Sequence, residues 1–141
     1  MKNILREDEY QELVSAAEGQ TLDAVLCYSA PDSCPLDFSF NDRREIFYWG
    51  LERLLKEGKI KLAKNGKFLD GTINEQIERF KSVFPNTEEE IDDGIWFFDE
   101  RCPGEGWVLD DGSLVWSWAE KWNVFTRPYL HTRNRIYMYL R

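Results

Sequence analysis

The stretch Thr72-Ile73-Asn74-Glu75, followed by Ile77, Phe80, Phe84 and Pro85, constrains the fold of this chain more than any other. A threonine with a glutamate three residues later can satisfy two of the free amides at a helix start reciprocally. Ile73, Ile77, Phe80 and Phe84 then recur at helical spacing and form a one-sided apolar stripe. Pro85 lacks the amide proton needed to continue. The pattern predicts an amphipathic helix that must bury one face against a second layer.

The flanking sequence supplies that layer. Tyr10, Leu13, Val14 and Ala17 fall on one helical face over residues 3–18, and Gly19 is a stop. Thr21 is a cap for a short segment Leu22, Ala24, Val25 and Cys27, too short for its period to separate helix from strand. Residues 29–40, with Pro31, Asp32, Ser33, Pro35 and Asp37, read as a loop. Asn41 is the expected cap of a helix over 42–57, with Phe47, Leu51, Leu54 and Leu55 on its apolar side and Gly58 at its end. Lys59 to Lys64 alternates charged and apolar residues as a half-exposed strand does, and Asn65-Gly66 is a hairpin turn returning through Lys67-Phe68-Leu69. Thr87 to Glu90 repeats the capping pattern, for a short acidic turn reaching Asp93. Strands are expected at Ile95–Asp99, Gly106–Leu109 and Ser113–Trp118, and a fourth at Arg135–Leu140. Helices before strands predict an α+β fold, with N-terminal helices packed on a C-terminal antiparallel, Trp-rich sheet in one domain spanning residues 1–141.

Composition narrows the function classes. At 141 residues the chain is long enough to fold without a disulfide or metal staple, and 15% aromatic residues argue against disorder. A net charge of −8 argues against a general nucleic-acid binder. The start, Met1 to Glu9, turns acidic at once and lacks the apolar core of a signal peptide; with no long apolar run, neither a membrane span nor secretion is expected. An odd cysteine count (Cys27, Cys34 and Cys102) then favours reduced thiols and a cytoplasmic location.

Few residues suggest catalysis. Cys102 with His131, the only histidine, is the one thiol–imidazole pairing that could make a nucleophile and its base, and the three cysteines with His131 could supply four zinc ligands. The Cys102-Pro103-Gly104 turn is no thiolate-stabilising helix start, and the spacing matches no zinc motif. The carboxylate pairs Asp92/Asp93, Asp99/Glu100 and Asp110/Asp111 would need to converge from separate elements to act as a glycosidase pair. No nucleotide, phosphate-loop or nucleophile-elbow motif is present, and no cofactor is expected. Five of six tryptophans lie after residue 95; they suit either a core and sheet rim or a stacking platform for a sugar or base.

Charge is distributed unevenly. Glu88, Glu89, Glu90, Asp92, Asp93, Asp99, Glu100, Glu105, Asp110 and Asp111 face Arg101 alone between residues 86 and 111, a net of −9. Residues 121–141 carry Lys121, Arg127, Arg133, Arg135 and Arg141 and no acid, and five lysines cluster between 56 and 67. A concentrated acidic stretch suits solubility, or an interface with a basic partner.

Three blocks carry a resemblance: Phe47 to Ala63; Phe68-Leu69-Asp70-Gly71-Thr72-Ile73 with Glu75-Gln76-Ile77; and Trp96-Phe97-Phe98, Cys102-Pro103-Gly104, Trp107-Val108, Asp111-Gly112 and Trp116. Together they resemble a small bacterial family of uncharacterised cytosolic proteins associated with polymorphic toxin systems, including immunity proteins of contact-dependent growth inhibition. The resemblance implies a non-enzymatic protein that binds a cognate toxin domain, for which the ten acids above are the expected contacts with a basic toxin surface. The alternatives are a small glycan- or nucleotide-binding module, or a small hydrolase using Cys102 or paired carboxylates.

Overall fold

A computed structural model describes residues 4–116. The first helix, α1 (Glu7–Ala17), starts where the Arg6 amide donates to Glu9 Oε1 at 2.8 Å. Three acids in its first turn suit the positive end of the helix dipole. Its buried face is Tyr10, Leu13, Val14 and Ala17, as the periodicity predicts. Gly19, at φ +81°, supplies the left-handed residue that ends this segment. The ambiguous apolar run forms a short helix, α2 (Leu22–Cys27), burying Leu22, Val25 and Leu26.

The long helix α3 (Phe40–Lys56) begins two residues earlier than expected. Its cap is Ser39, not Asn41. Ser39 Oγ accepts the Asp42 amide at 3.1 Å, and Asp42 Oδ2 accepts the Ser39 amide at 3.0 Å. This reciprocal pair satisfies two amides where Asn41 would satisfy one; the Asn41 side chain instead accepts from Arg44. Ile46, Phe47, Leu51 and Leu54 face the core. The hairpin β1 (Ile60–Lys64) and β2 (Lys67–Phe68) turns through Asn65 at φ 53° and Gly66 at φ 80°. The pair of positive φ angles matches the twist of the strands. Thr72 and Glu75 cap α4 (Ile73–Val83) reciprocally, at 3.1 and 2.8 Å.

The first C-terminal strand expected, Ile95–Asp99, is a 3₁₀ helix over Ile95–Phe98. The reason is packing. Trp96, Phe97 and Phe98 are all buried, and a strand would turn Phe97 to the face opposite its neighbours. A tight helical turn brings Trp96 and Phe97 together into one aromatic cluster. Phe97 and Trp96 lie 5.4 Å apart by ring centroids, and Phe84 packs edge-on to Trp96 at 5.1 Å and stacks with Phe47 at 5.1 Å.

Strands β3 (Gly104–Val108) and β4 (Leu114–Trp116) complete one antiparallel sheet in the order β2-β1-β3-β4. The N-terminal helices and antiparallel sheet are the expected α+β architecture, but the mid-chain hairpin, through β1, and not residues 95–99, flanks β3 on the side opposite β4. The other strand expected, Arg135–Leu140, lies outside the described residues, as does the end of Ser113–Trp118. Ile60 pairs with Trp107 and Trp107 with Val115, so these residues share the helix-facing side with Leu62. Trp107 also donates its indole N–H to the Gln20 carbonyl at 2.7 Å, tying the α1–α2 connection to the sheet. On the opposite face, the bare Gly106 lets Trp116 lie nearly parallel to Phe68, with ring centroids 5.4 Å apart.

Candidate interaction surface

The acids of residues 88–93 sit on a small, firmly held projection. Arg44 of α3 reaches back to the Pro85 carbonyl at 3.3 Å and Asn86 Oδ1 at 3.0 Å. Thr87 Oγ1 accepts the Glu90 amide at 3.3 Å and starts α5 (Glu88–Ile91), one turn long, whose Ile91 is its buried anchor. Asp92 and Asp93, both at φ 52°, and Gly94 at φ 87° then reverse the chain into the 3₁₀ helix. Three left-handed residues in succession leave Glu88, Glu89, Glu90, Asp92 and Asp93 all exposed.

The other expected contact residues are placed differently. Asp99 is half-buried and engaged by Arg101, accepting from its amide at 2.8 Å and its Nε at 2.9 Å. Glu100 is exposed beside it. Asp110 and Asp111 form the exposed β3–β4 turn, where Asp111 accepts from the Ser113 amide and hydroxyl at 2.9 and 2.6 Å. Glu105 departs from the expected surface: it is 2% exposed, beneath the sheet on the side of Leu62 and Trp107. Strand alternation explains this, since its neighbours Gly104 and Gly106 take the opposite face. Nor do the exposed acids make one patch. Residues 88–93 adjoin Phe40 and Arg43 at the start of α3. The Asp110–Asp111 turn follows Val108, whose amide binds the Lys59 carbonyl just past the end of α3. That helix, of 17 residues, is about 25 Å long.

Beside the projection lies a cleft of 430 Å³ lined by Asp23, Leu26, Cys27, Phe40, Arg43, Glu88, Ile91, Asp93 and Gly94. Arg43 is committed to one wall, donating to the Cys27 carbonyl at 2.8 Å and the Leu26 carbonyl at 3.3 Å at the end of α2. Asp23 packs so closely on Gly94 that a Cβ there would stand 2.7 Å from its carboxyl carbon. Burial, and then the charge of Asp93, push the Asp23 carboxyl above the usual aspartate range. Burial, and then Asp23, also raise the Cys27 thiol, against the pull of Arg43. Asp23 was not among the residues singled out in the sequence, where it is one acid in an apolar run. Only the tertiary approach of Gly94 distinguishes it.

The cysteines are dispersed in character. Cys27 and Cys34 are exposed, while Cys102 is buried with its thiol donating to the Pro103 carbonyl at 3.2 Å. His131 lies outside the described residues. No group of three or more metal-ligating side chains occurs among the described residues. Trp96 and Trp107 are core residues and Trp116 is half-buried; Trp118 and Trp122 lie outside the described residues. No helix among the described residues is long and apolar enough to cross a membrane.

Comparison with known proteins matches residues 55–117 to the family described as "Protein of unknown function, DUF596". That match begins in the last turn of α3 and runs through β4. Among solved structures, an uncharacterized protein conserved in bacteria, COG3792, from Neisseria meningitidis is similar, with a TM-score of 0.63 and 26% identity over 78% of this chain and 88% of that one. No curated protein matches. Over its sheet and the elements from α4 onward, this chain is thus similar to a bacterial family whose role is unassigned.

Proposed function

We propose that the chain is a binding protein that docks a basic protein partner on the α5 projection. One contrast carries the reading. Elsewhere on the described surface, acids are either paired with bases (Arg6 with Asp8, Glu9 and Asp32; Arg53 with Glu7 and Glu57; Lys56 with Glu52; Lys81 with Glu78) or stand one or two together without an ion pair, as Glu12, Glu18, Glu45, Asp70 and Asp110–Asp111 do, whereas three such acids fall within five residues on α5 and its C-cap. Glu88, Glu89 and Asp92 are exposed and form no ion pair among the described residues. An uncompensated, rigidly presented anionic group favours encounter with a cationic surface and gives its approach a direction. Read with the resemblance described above, the partner is a toxin domain and the chain a cytoplasmic immunity protein of the contact-dependent growth inhibition type. A nuclease toxin suits this reading, because a surface that holds phosphate is basic.

The test is co-expression with toxin domains encoded beside the gene, scored by complex formation and rescued growth. Reversing Glu88, Glu89 and Asp92 to lysine is expected to weaken the complex at least about tenfold and to flatten its salt dependence. Unchanged affinity and unchanged salt response in the triple variant would remove α5 as the interface.

A further inference from the structure

We infer that the cleft between α2, α3 and the α5 projection is the receptor for one arginine or lysine side chain of a protein partner, with Leu36 as an apolar contact at its edge. The inference rests on the reading of this chain as a binder of a basic protein, and it names a site which that reading does not require.

Three observations meet here. The first is the mixed lining: Leu26, Phe40 and Ile91 share the cleft with the acids Asp23, Glu88 and Asp93. Apolar walls suit the methylene stem of a long basic side chain, and carboxylates suit its head. The second is Asp23. It is half-buried, yet it makes no hydrogen bond or ion pair among the described residues. The cation that lines the cleft, Arg43, turns its Nη1 to the carbonyls of Leu26 and Cys27 and makes no ion pair with Asp23. A carboxylate raised by burial and by a second acid is costly without a partner, and an incoming cation removes that cost. The third is Leu36, which is fully exposed. It sits in the turn closed by the Phe38 amide on the Pro35 carbonyl at 3.1 Å. Arg43 joins this turn to the cleft, with its guanidinium carbon 5.6 Å from the Phe38 ring centre and its Nη1 on the Cys27 carbonyl. The Asp32 amide, bound to the buried Glu9 at 2.6 Å, fixes the same loop to α1. A large aliphatic side chain held in water on a tethered loop, two residues from the Phe38 ring that meets Arg43 of the cleft, fits an interface in which an apolar contact borders a charged anchor.

The experiment uses the full chain in the Cys34→Ser background, with acetyl-Leu-Arg-Leu-amide as probe and its citrulline counterpart as the neutral isostere. The readouts are amide chemical shifts and the alkylation rate of Cys27, which lines the cleft. The arginine peptide is expected to shift Asp23, Gly94 and Leu36, to slow Cys27 alkylation, and to bind about tenfold tighter than the citrulline peptide. Asp23→Asn, which keeps shape and removes charge, is expected to abolish that preference; Leu36→Ser is expected to weaken both peptides alike. Equal binding of the two peptides, or a preference surviving Asp23→Asn, overturns the cleft. Glu89→Lys, outside the cleft lining, separates the two claims. If it weakens a co-expressed toxin complex while the peptide preference is absent, the α5 surface stands and the cleft falls. A peptide preference with no effect of Glu89→Lys on that complex leaves the cleft and removes the α5 reading.

Discussion

Glu9 shows how much one side chain can organise. It is buried, accepts the Arg6 amide at 2.8 Å and the Asp32 amide at 2.6 Å, and lies 3.5 Å from the Arg6 guanidinium. Those bonds, the Arg6 amide foremost, hold its carboxyl below the usual glutamate range, against the effect of burial. A depressed folded-state pKa contributes stability that is full above the ordinary value of 4.5 and is lost as pH falls through the lowered one. Glu9→Ala is therefore expected to lose about 2 kcal/mol at pH 7 in urea unfolding, with the gap to the parent closing below about pH 4. A gap independent of pH would place the cost in packing instead. Asp23 carries the opposite sign: its raised carboxyl penalises folding at neutral pH, and Asp23→Asn relieves that. Neither role was legible in the sequence. Glu9 is one of three adjacent acids, and its second amide comes from residue 32; Asp23 acquires its meaning from Gly94.

Elements were legible where capping and turn chemistry is local. Thr72 with Glu75, and Asn65 with Gly66, act within a few residues of themselves, and the structure places α4 and the hairpin where those pairs predict them. The start of α3 departs from the expected Asn41 cap because Ser39 gains from its reciprocal partner Asp42, a pairing that Asn41 lacks. Ser39→Ala is expected to lower stability by about 1 kcal/mol and Asn41→Ala by clearly less; thermal unfolding of the two variants compares them, and equal losses would contradict the assignment of the cap. The 3₁₀ helix is not legible in its own residues, because Ile95, Trp96, Phe97 and Phe98 all favour strands. The local signal was upstream, in Asp92-Asp93-Gly94, whose residue types tolerate the left-handed conformation that all three adopt.

At the scale of the whole molecule, the fold class followed from the separation of helical and alternating patterns, but the composition of the sheet did not. Pairing of β1 with β3 depends on Ile60 and Leu62 meeting Trp107 and Glu105 across the chain, which no local rule specifies. The same pairing bears on the segment similar to the DUF596 family, residues 55–117. That segment contains all four strands found among the described residues yet omits α1, α2 and most of α3, whose Tyr10, Leu13, Phe47 and Leu51 belong to the core around Phe80 and Trp107. Expressed alone, residues 55–117 are expected to show no cooperative unfolding by circular dichroism; a sharp transition would mean that the sheet holds its own core. The order β2-β1-β3-β4 also has a kinetic consequence. The β1–β2 hairpin closes over two residues, whereas β3 reaches β1 only after α4, α5 and the 3₁₀ helix have been traversed. The entropy of that large closure is lost before its contacts form, so docking of β3 is the slow event of folding, and until it happens both β1 and β3 present open edges to other chains.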